Sequence, residues 1–278
     1  MSAIGRSSDT SAGIDLTSAF LFDLDGTLYT SEGVIPGAVD AVATLRSRGV
    51  PLRFVTNTTR TSRRAVADRL ASFGFAVADE ELFTPAIAAG TVLHERRIEL
   101  ISPVVARDLL DDLEGFSLCG GVSSQRCTAR PGAVLVGDLG NDWTPSLLNE
   151  AFRYVMDGAL LLALHKGRYW MGPQGLELDA GAYVAGLEYA TGVQALLCGK
   201  PQVTFFDSVV LSLGLRRPFR DGERPVMIGD DLWNDIEGAQ RAGLSAWLVR
   251  TGKFRADVLE SSTITPDRVV DSVADVIQ

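Results

Sequence analysis

The chain has 278 residues, 46% apolar and 22% charged, enough for a sizeable core and compatible with two domains. Its 35 acidic and 26 basic residues give a net charge of −9, which argues against nucleic-acid binding, since that needs a basic face. No apolar run approaches membrane-spanning length, and the odd number and spacing of Cys119, Cys127 and Cys198 argue against a disulfide framework and for a reducing cytoplasm.

Residues 1–17 are rich in Ser, Thr, Ala and Gly, lack the apolar stretch of a signal peptide, and read as a tail. The run Ala19-Phe20-Leu21-Phe22 reads as a buried strand and ends in Asp23-Leu24-Asp25-Gly26-Thr27. Residues two apart in a strand point the same way, so Asp23 and Asp25 leave it as a pair. Two such carboxylates repel each other and resist desolvation, so a cation or a functional need must hold them there. An Asp nucleophile beside an Asp acid suggests phosphoryl transfer through an aspartyl-phosphate.

The stretch 29–35 reads as a loop or flap and 36–48 as a helix, with Pro36 in its first turn and Gly49 after its end. A strand over 51–55 ends at Thr56-Asn57; helices follow over 62–73 and 85–96, with a short strand over 80–84 between them. This alternation implies a parallel sheet with helices on both faces. Residues 98–192 carry strand and helix signals of their own, at 133–136, 146–156, 159–164 and 180–190, and read as an inserted domain. The first pattern then resumes: strand 195–198, helix 202–213, strand 225–229, helix 232–242, strand 246–249 and helix 271–277. The expected division is therefore one α/β domain from 18–97 and 193–278, interrupted by a second from 98–192.

Four short sequences fall at the carboxyl ends of expected parallel strands, where ligands bind in open α/β sheets. They are Asp23 to Thr27, Val55-Thr56-Asn57, Gly199-Lys200-Pro201, and Gly229-Asp230-Asp231 with Asp235 following. Each alone is ordinary, since Asp-x-Asp-Gly is a common turn and Thr56 and Lys200 are common residue types. Val134-Leu135-Val136-Gly137-Asp138 imitates the last of them, but Asp138 lies in the insertion and reads as a turn. A P-loop is excluded around Lys253 and Lys200, where Trp247 and Gln194 replace the first glycine; His94 and His165 alone make no zinc site.

In this order the four sequences resemble the motifs of the haloacid dehalogenase superfamily. The resemblance implies a Rossmann-like parallel-sheet core and, with the large insertion between Thr56 and Lys200, an α/β type II cap of the IIA subgroup. Phe54 to Arg60, His165 to Trp170, Leu187 to Ala190 and Val249 to Lys253 resemble one branch of it. That branch holds phospholysine phosphohistidine inorganic pyrophosphate phosphatase and haloacid dehalogenase-like hydrolase domain-containing protein 2. The resemblance implies a phosphatase acting on a small phosphorylated substrate, with Asp23 as nucleophile and Asp25 as acid and base. Thr56 would hold the phosphoryl oxygens, with Asn57 and Thr58 beside it at the substrate. Lys200 would offset gathered negative charge. Mg²⁺ would be held by Asp23, Asp230 and the Asp25 carbonyl, with Asp235 orienting that shell and Asp231 as the competing candidate.

His165-Lys166-Gly167-Arg168 follows the cap strand 159–164, so Lys166 and Arg168 either meet the leaving group or decorate a solvated turn. Phosphoramidates and pyrophosphate are the alternative substrates, and a non-catalytic binding protein is the alternative class. A dehalogenase would not need Asp25, a phosphomutase would carry its cap between Leu28 and Leu52, and a receiver would lack the insertion. Related caps often dimerise, so a homodimer is the assembly to test.

Overall fold

A computed structural model describes residues 19–277 apart from 124, 173, 174, 221 and 222. The tail expected over 1–17 lies outside the described residues. The chain opens with β1 (Phe20–Asp23), a flap of β2 (Tyr29–Thr30) and β3 (Gly33–Val34), α1 (Ala38–Ser47), β4 (Leu52–Val55), α2 (Arg63–Ser72), β5 (Leu82–Phe83) and α3 (Pro85–Glu95). Its middle holds β6 (Leu100–Val104), β7 (Ser117–Leu118), β8 (Ala133–Val136), α4 (Pro145–Met156) and β9 (Leu160–Ala163). A hairpin of β10 (Tyr169–Gly172) and β11 (Gly175–Leu178), then α5 (Ala180–Thr191) and β12 (Leu196–Leu197), complete that part. The last part has α6 (Val203–Ser212), β13 (Val226–Gly229), α7 (Gly238–Arg241), β14 (Ser245–Val249), α8 (Ala256–Ser261) and β15 (Arg268–Val270).

Two parallel sheets result. The first runs β15-β14-β13-β1-β4-β5 and the second β12-β9-β8-β6-β7. β1, β8 and β13 are buried along their whole length, which is why they read as unbroken apolar runs. Period two still sorts their faces: Phe20 and Phe22 belong to one buried cluster, and Leu21 to another that continues into the second sheet through Ile101, Leu135 and Leu161. Thr84 and Thr144 cap α3 and α4 through their hydroxyls, each followed by Pro at the first helical turn.

Several elements depart from the sequence reading. The strand expected at 195–198 to re-enter the first sheet pairs instead with β9, Leu196 opposite Leu162 and Leu197 opposite Ala163, so the chain returns only after Gly199. β6 escapes the pattern because Pro103 interrupts it; Pro103 lies beyond the end of β7, which pairs only with Leu100 and Ile101. The helix expected over 232–242 begins as a π-helical turn, Leu232–Glu237, before α7. Against the expectation of no disulfide, Cys119 and Cys127 are bonded, their Cα atoms 4.8 Å apart, while Cys198 is free and buried. Gly120 and Gly121, both with positive φ, turn the chain between them. Among the described residues no helix is long and apolar enough to cross a membrane.

Candidate active site

The carboxyl ends of β1, β4, β13 and β14 bring four loops together with the turn that follows β12. Asp23 ends β1 and is buried. Leu24 then turns into the core, and its carbonyl accepts the N–H groups of Thr27, Leu28 and Tyr29, so that Asp25 emerges exposed at the rim. Desolvation around the Asp25 carboxyl, then the charge of Asp23, raise its pKa above the usual carboxylate value.

Lys200 is fully enclosed, and its ammonium donates to Asp23 Oδ1 at 2.5 Å and to Asp235 Oδ1 at 2.6 Å. Burial pulls its pKa down, but the two carboxylates outweigh that and hold it above the ordinary lysine value. Asp235 reaches inward because the π turn rotates it over Gly229, where a Cβ would stand 2.3 Å from Asp235 Oδ2. Its second oxygen accepts the Asp231 N–H at 3.1 Å. Asp231 instead caps the turn: Oδ1 accepts from the N–H groups of Trp233 and Asn234, and Oδ2 from Lys253 Nζ at 3.1 Å. Of the two candidate supporting carboxylates, Asp235 thus joins the buried cluster and Asp231 holds the backbone around it.

Asp23, Asp230 and Asp235 place carboxylate oxygens within 4.8 Å of one another. Burial, then the neighbouring carboxylates, push Asp230 up to about 8. Asp235 rises to about 7, burial and Asp23 outweighing its ion pair with Lys200. One oxygen of Asp230 accepts the Lys253 N–H at 2.7 Å, whereas Oδ1 is buried with no partner. An orphaned carboxylate oxygen beside a second carboxylate suits a hard cation such as Mg²⁺, so Asp23 and Asp230 fit that ion. Both oxygens of Asp235 are already engaged, by Lys200 and the Asp231 N–H.

Thr56 is buried at the end of β4, and its hydroxyl oxygen accepts the Thr58 N–H at 3.1 Å, which leaves its own O–H to donate. Thr58 is half-buried beside it. Asn57, expected at the substrate, instead uses both ends of its amide on Lys200: Nδ2 donates to the Lys200 carbonyl and Oδ1 accepts the Lys200 N–H, each at 2.9 Å. Lys166, also expected at the substrate, is held by both oxygens of Glu188 at 3.0 and 2.8 Å. Glu188 in turn accepts the Ala195 N–H, so the pair pins α5 to the chain ahead of β12. Arg168 is exposed. His165 lies 3.5 Å from Asp179, and burial holds its pKa below the ordinary value. Asp138, read as a turn residue, also pairs with Arg60 at 3.4 Å, and its N–H donates to Thr59 Oγ1.

The sequence reading missed the loop after β14. Thr251 donates its hydroxyl to the Gly26 carbonyl at 2.5 Å, and the Lys253 N–H holds Asp230. The available signal was a polar Arg-Thr-Gly-Lys run directly after an apolar strand beside β13. Gly26 and Gly252 let the two loops meet: a Cβ on either would stand 2.0 Å from Asp230 Oδ2, and both have positive φ. Gly252→Ala is therefore expected to displace Asp230 and weaken Mg²⁺ binding by roughly tenfold or more, measured by calorimetry. Unchanged affinity would show that the loop does not position this carboxylate.

Residues 20–119 match the family model described as haloacid dehalogenase-like hydrolase, and residues 197–276 match a second, HAD-hydrolase-like model. The chain is 39% identical over 238 residues to human haloacid dehalogenase-like hydrolase domain-containing protein 2, covering 86% of each. It is 36% identical over 263 residues to phospholysine phosphohistidine inorganic pyrophosphate phosphatase of Xenopus laevis, covering 92% of each. Among solved structures it resembles a hypothetical protein from Pyrococcus horikoshii OT3, with TM-score 0.84, 26% identity and coverage of 94% of this chain and 98% of that one. It also resembles glycerol phosphate phosphatase from Mycobacterium tuberculosis in complex with magnesium, with TM-score 0.78, 28% identity and coverage of 92% and 74%.

Proposed function

The chain belongs to the haloacid dehalogenase-like hydrolase family, and from that premise we propose that it is a Mg²⁺-dependent phosphatase acting on a small phosphorylated compound through an aspartyl-phosphate on Asp23. The observation that carries this reading is Lys200 bridging Asp23 and Asp235 beside the unpartnered Oδ1 of Asp230.

The Asp23 carboxylate forms a bond to phosphorus as the bond to the leaving oxygen breaks. Asp25, with its raised pKa, gives its proton to that oxygen, then as a carboxylate takes one from the water that attacks the phosphoenzyme. The second step returns Asp23 free and Asp25 protonated, and releases inorganic phosphate. Lys200, fixed by Asp235, offsets charge on the phosphoryl group, and the Thr56 O–H is available to a phosphoryl oxygen. Mg²⁺, held by Asp23 and Asp230, would supply further positive charge against the phosphoryl oxygens when bound.

The test is phosphate release from 4-nitrophenyl phosphate and a panel of phosphorylated metabolites, with and without Mg²⁺. No release from any of them in Mg²⁺ would end the proposal. Likeness to the phospholysine phosphohistidine inorganic pyrophosphate phosphatase favours a second substrate class, so phospholysine, phosphohistidine and pyrophosphate belong in that panel.

With both oxygens of Glu188 holding its ammonium, Lys166 braces the chain ahead of β12 in this reading rather than meeting an anionic group of the substrate. Lys166→Ala should lower kcat/KM by the same factor, within about threefold, on a neutral aryl phosphate and on a substrate with an additional carboxylate or phosphate. A loss of tenfold or more confined to the doubly anionic substrate would restore Lys166 to the site. Arg168→Ala, made separately, tests the exposed cation at that turn.

A further inference from the structure

We infer that Asn57 is a positioning residue that acts through Lys200, rather than a group that touches the substrate. Resting on the phosphatase reading above, this specifies how the reactive geometry is held. Its amide spans the Lys200 backbone on both sides, accepting the Lys200 N–H and donating to the Lys200 carbonyl, each at 2.9 Å. A planar amide held at both ends fixes the position and orientation of the Lys200 main chain. The preceding residue leaves no slack: a Cβ on Gly199 would stand 2.7 Å from Asn57 Oδ1 and 2.7 Å from the Leu164 carbonyl oxygen. From that backbone the Lys200 side chain reaches Asp23 at 2.5 Å and Asp235 at 2.6 Å. Asn57 follows β4 and Lys200 follows β12, which belong to different sheets, so the clamp also joins the end of one sheet to the exit of the other. No other backbone pair in the cluster is held through both ends of one side chain among the described residues.

A lysine that lies a fraction of an ångström from its place offsets charge poorly, and displacements of about 1 Å cost roughly 100-fold in rate. With 4-nitrophenyl phosphate in Mg²⁺, Asn57→Ala should lower kcat by roughly that factor and change KM by less than about threefold. Asn57→Asp keeps the acceptor for the Lys200 N–H and should lose less than Asn57→Ala. The discriminating measurement is a double-mutant cycle. If Asn57 works through Lys200, Asn57→Ala combined with Lys200→Ala is no slower than Lys200→Ala alone, within about twofold. If Asn57 binds substrate, the two losses multiply and KM rises, which overturns the inference. Crystal structures of Asn57→Ala and Asn57→Asp give a reading independent of turnover. The Lys200 ammonium should leave Asp23 in the alanine variant; its remaining between Asp23 and Asp235 in both would contradict the clamp even if the wild type proved inactive on every phosphate ester.

Discussion

Asp23→Asn should abolish turnover and leave the protein folded. The amide has the shape of the carboxylate but no nucleophilic lone pair of comparable strength, so phosphate release should fall by about 10⁴-fold or more. Two opposing effects decide stability. Lys200 loses a partner at 2.5 Å but retains Asp235 at 2.6 Å, so it is not left as a lone buried charge. Meanwhile one of three carboxylates crowded within 4.8 Å is removed, which eases the pressure that raises Asp230 and Asp235. The metal-free variant should therefore melt no lower than the wild type. Steady-state kinetics with thermal melts in EDTA check both halves; wild-type-like turnover would remove Asp23 as nucleophile.

Chelation of divalent ions should abolish activity, and Mg²⁺ should restore it. Ca²⁺ should not, because its larger and looser oxygen shell misplaces Asp23 for in-line attack. The same carboxylates set the sign of the pH dependence. Asp230 near 8 and Asp235 near 7 in the folded chain compare with 3.8 unfolded. Between those limits these two carboxyls bind more protons in the folded state than in the unfolded chain, so the stability they contribute to the metal-free protein is lost as pH rises from about 4 to about 8. Binding of Mg²⁺ at Asp23 and Asp230 would require the Asp230 carboxyl to give up its proton, so the affinity and the stabilisation it confers should grow over the same window. Melting temperatures in EDTA and in Mg²⁺ between pH 5.5 and 8.5 test this; a metal-free protein that grows more stable with rising pH contradicts it.

What the sequence made legible was local. Asp23, Thr56 and Asp230 each end a short apolar run, so strand periodicity and the following turn residues revealed them. The choice between Asp231 and Asp235 was not legible, because it depends on a π turn that no helical periodicity signals. Asn57 and Lys166 looked like substrate ligands because their chemistry suits the task. Their partners, Lys200 and Glu188, are 143 and 22 positions away, and only the packed fold shows the side chains engaged. The Thr251 contact to Gly26 spans 225 positions, and the Cys119–Cys127 pairing depends on consecutive positive-φ glycines. Both are consequences of backbone approach rather than of residue type.

A covalent phosphoryl group at Asp23 is the centre of the proposed mechanism, and Asp25→Asn gives the most direct view of it. That variant cannot accept a proton from the attacking water, so hydrolysis of the phosphoenzyme slows more than its formation when the leaving group is a good one. Mixed with ³²P-labelled 4-nitrophenyl phosphate and Mg²⁺ and quenched in acid, it should retain label on the peptide that carries Asp23. The double variant Asp23→Asn with Asp25→Asn should retain none. Label on another peptide, or steady turnover by Asp25→Asn with no labelled protein at any time, would contradict the mechanism.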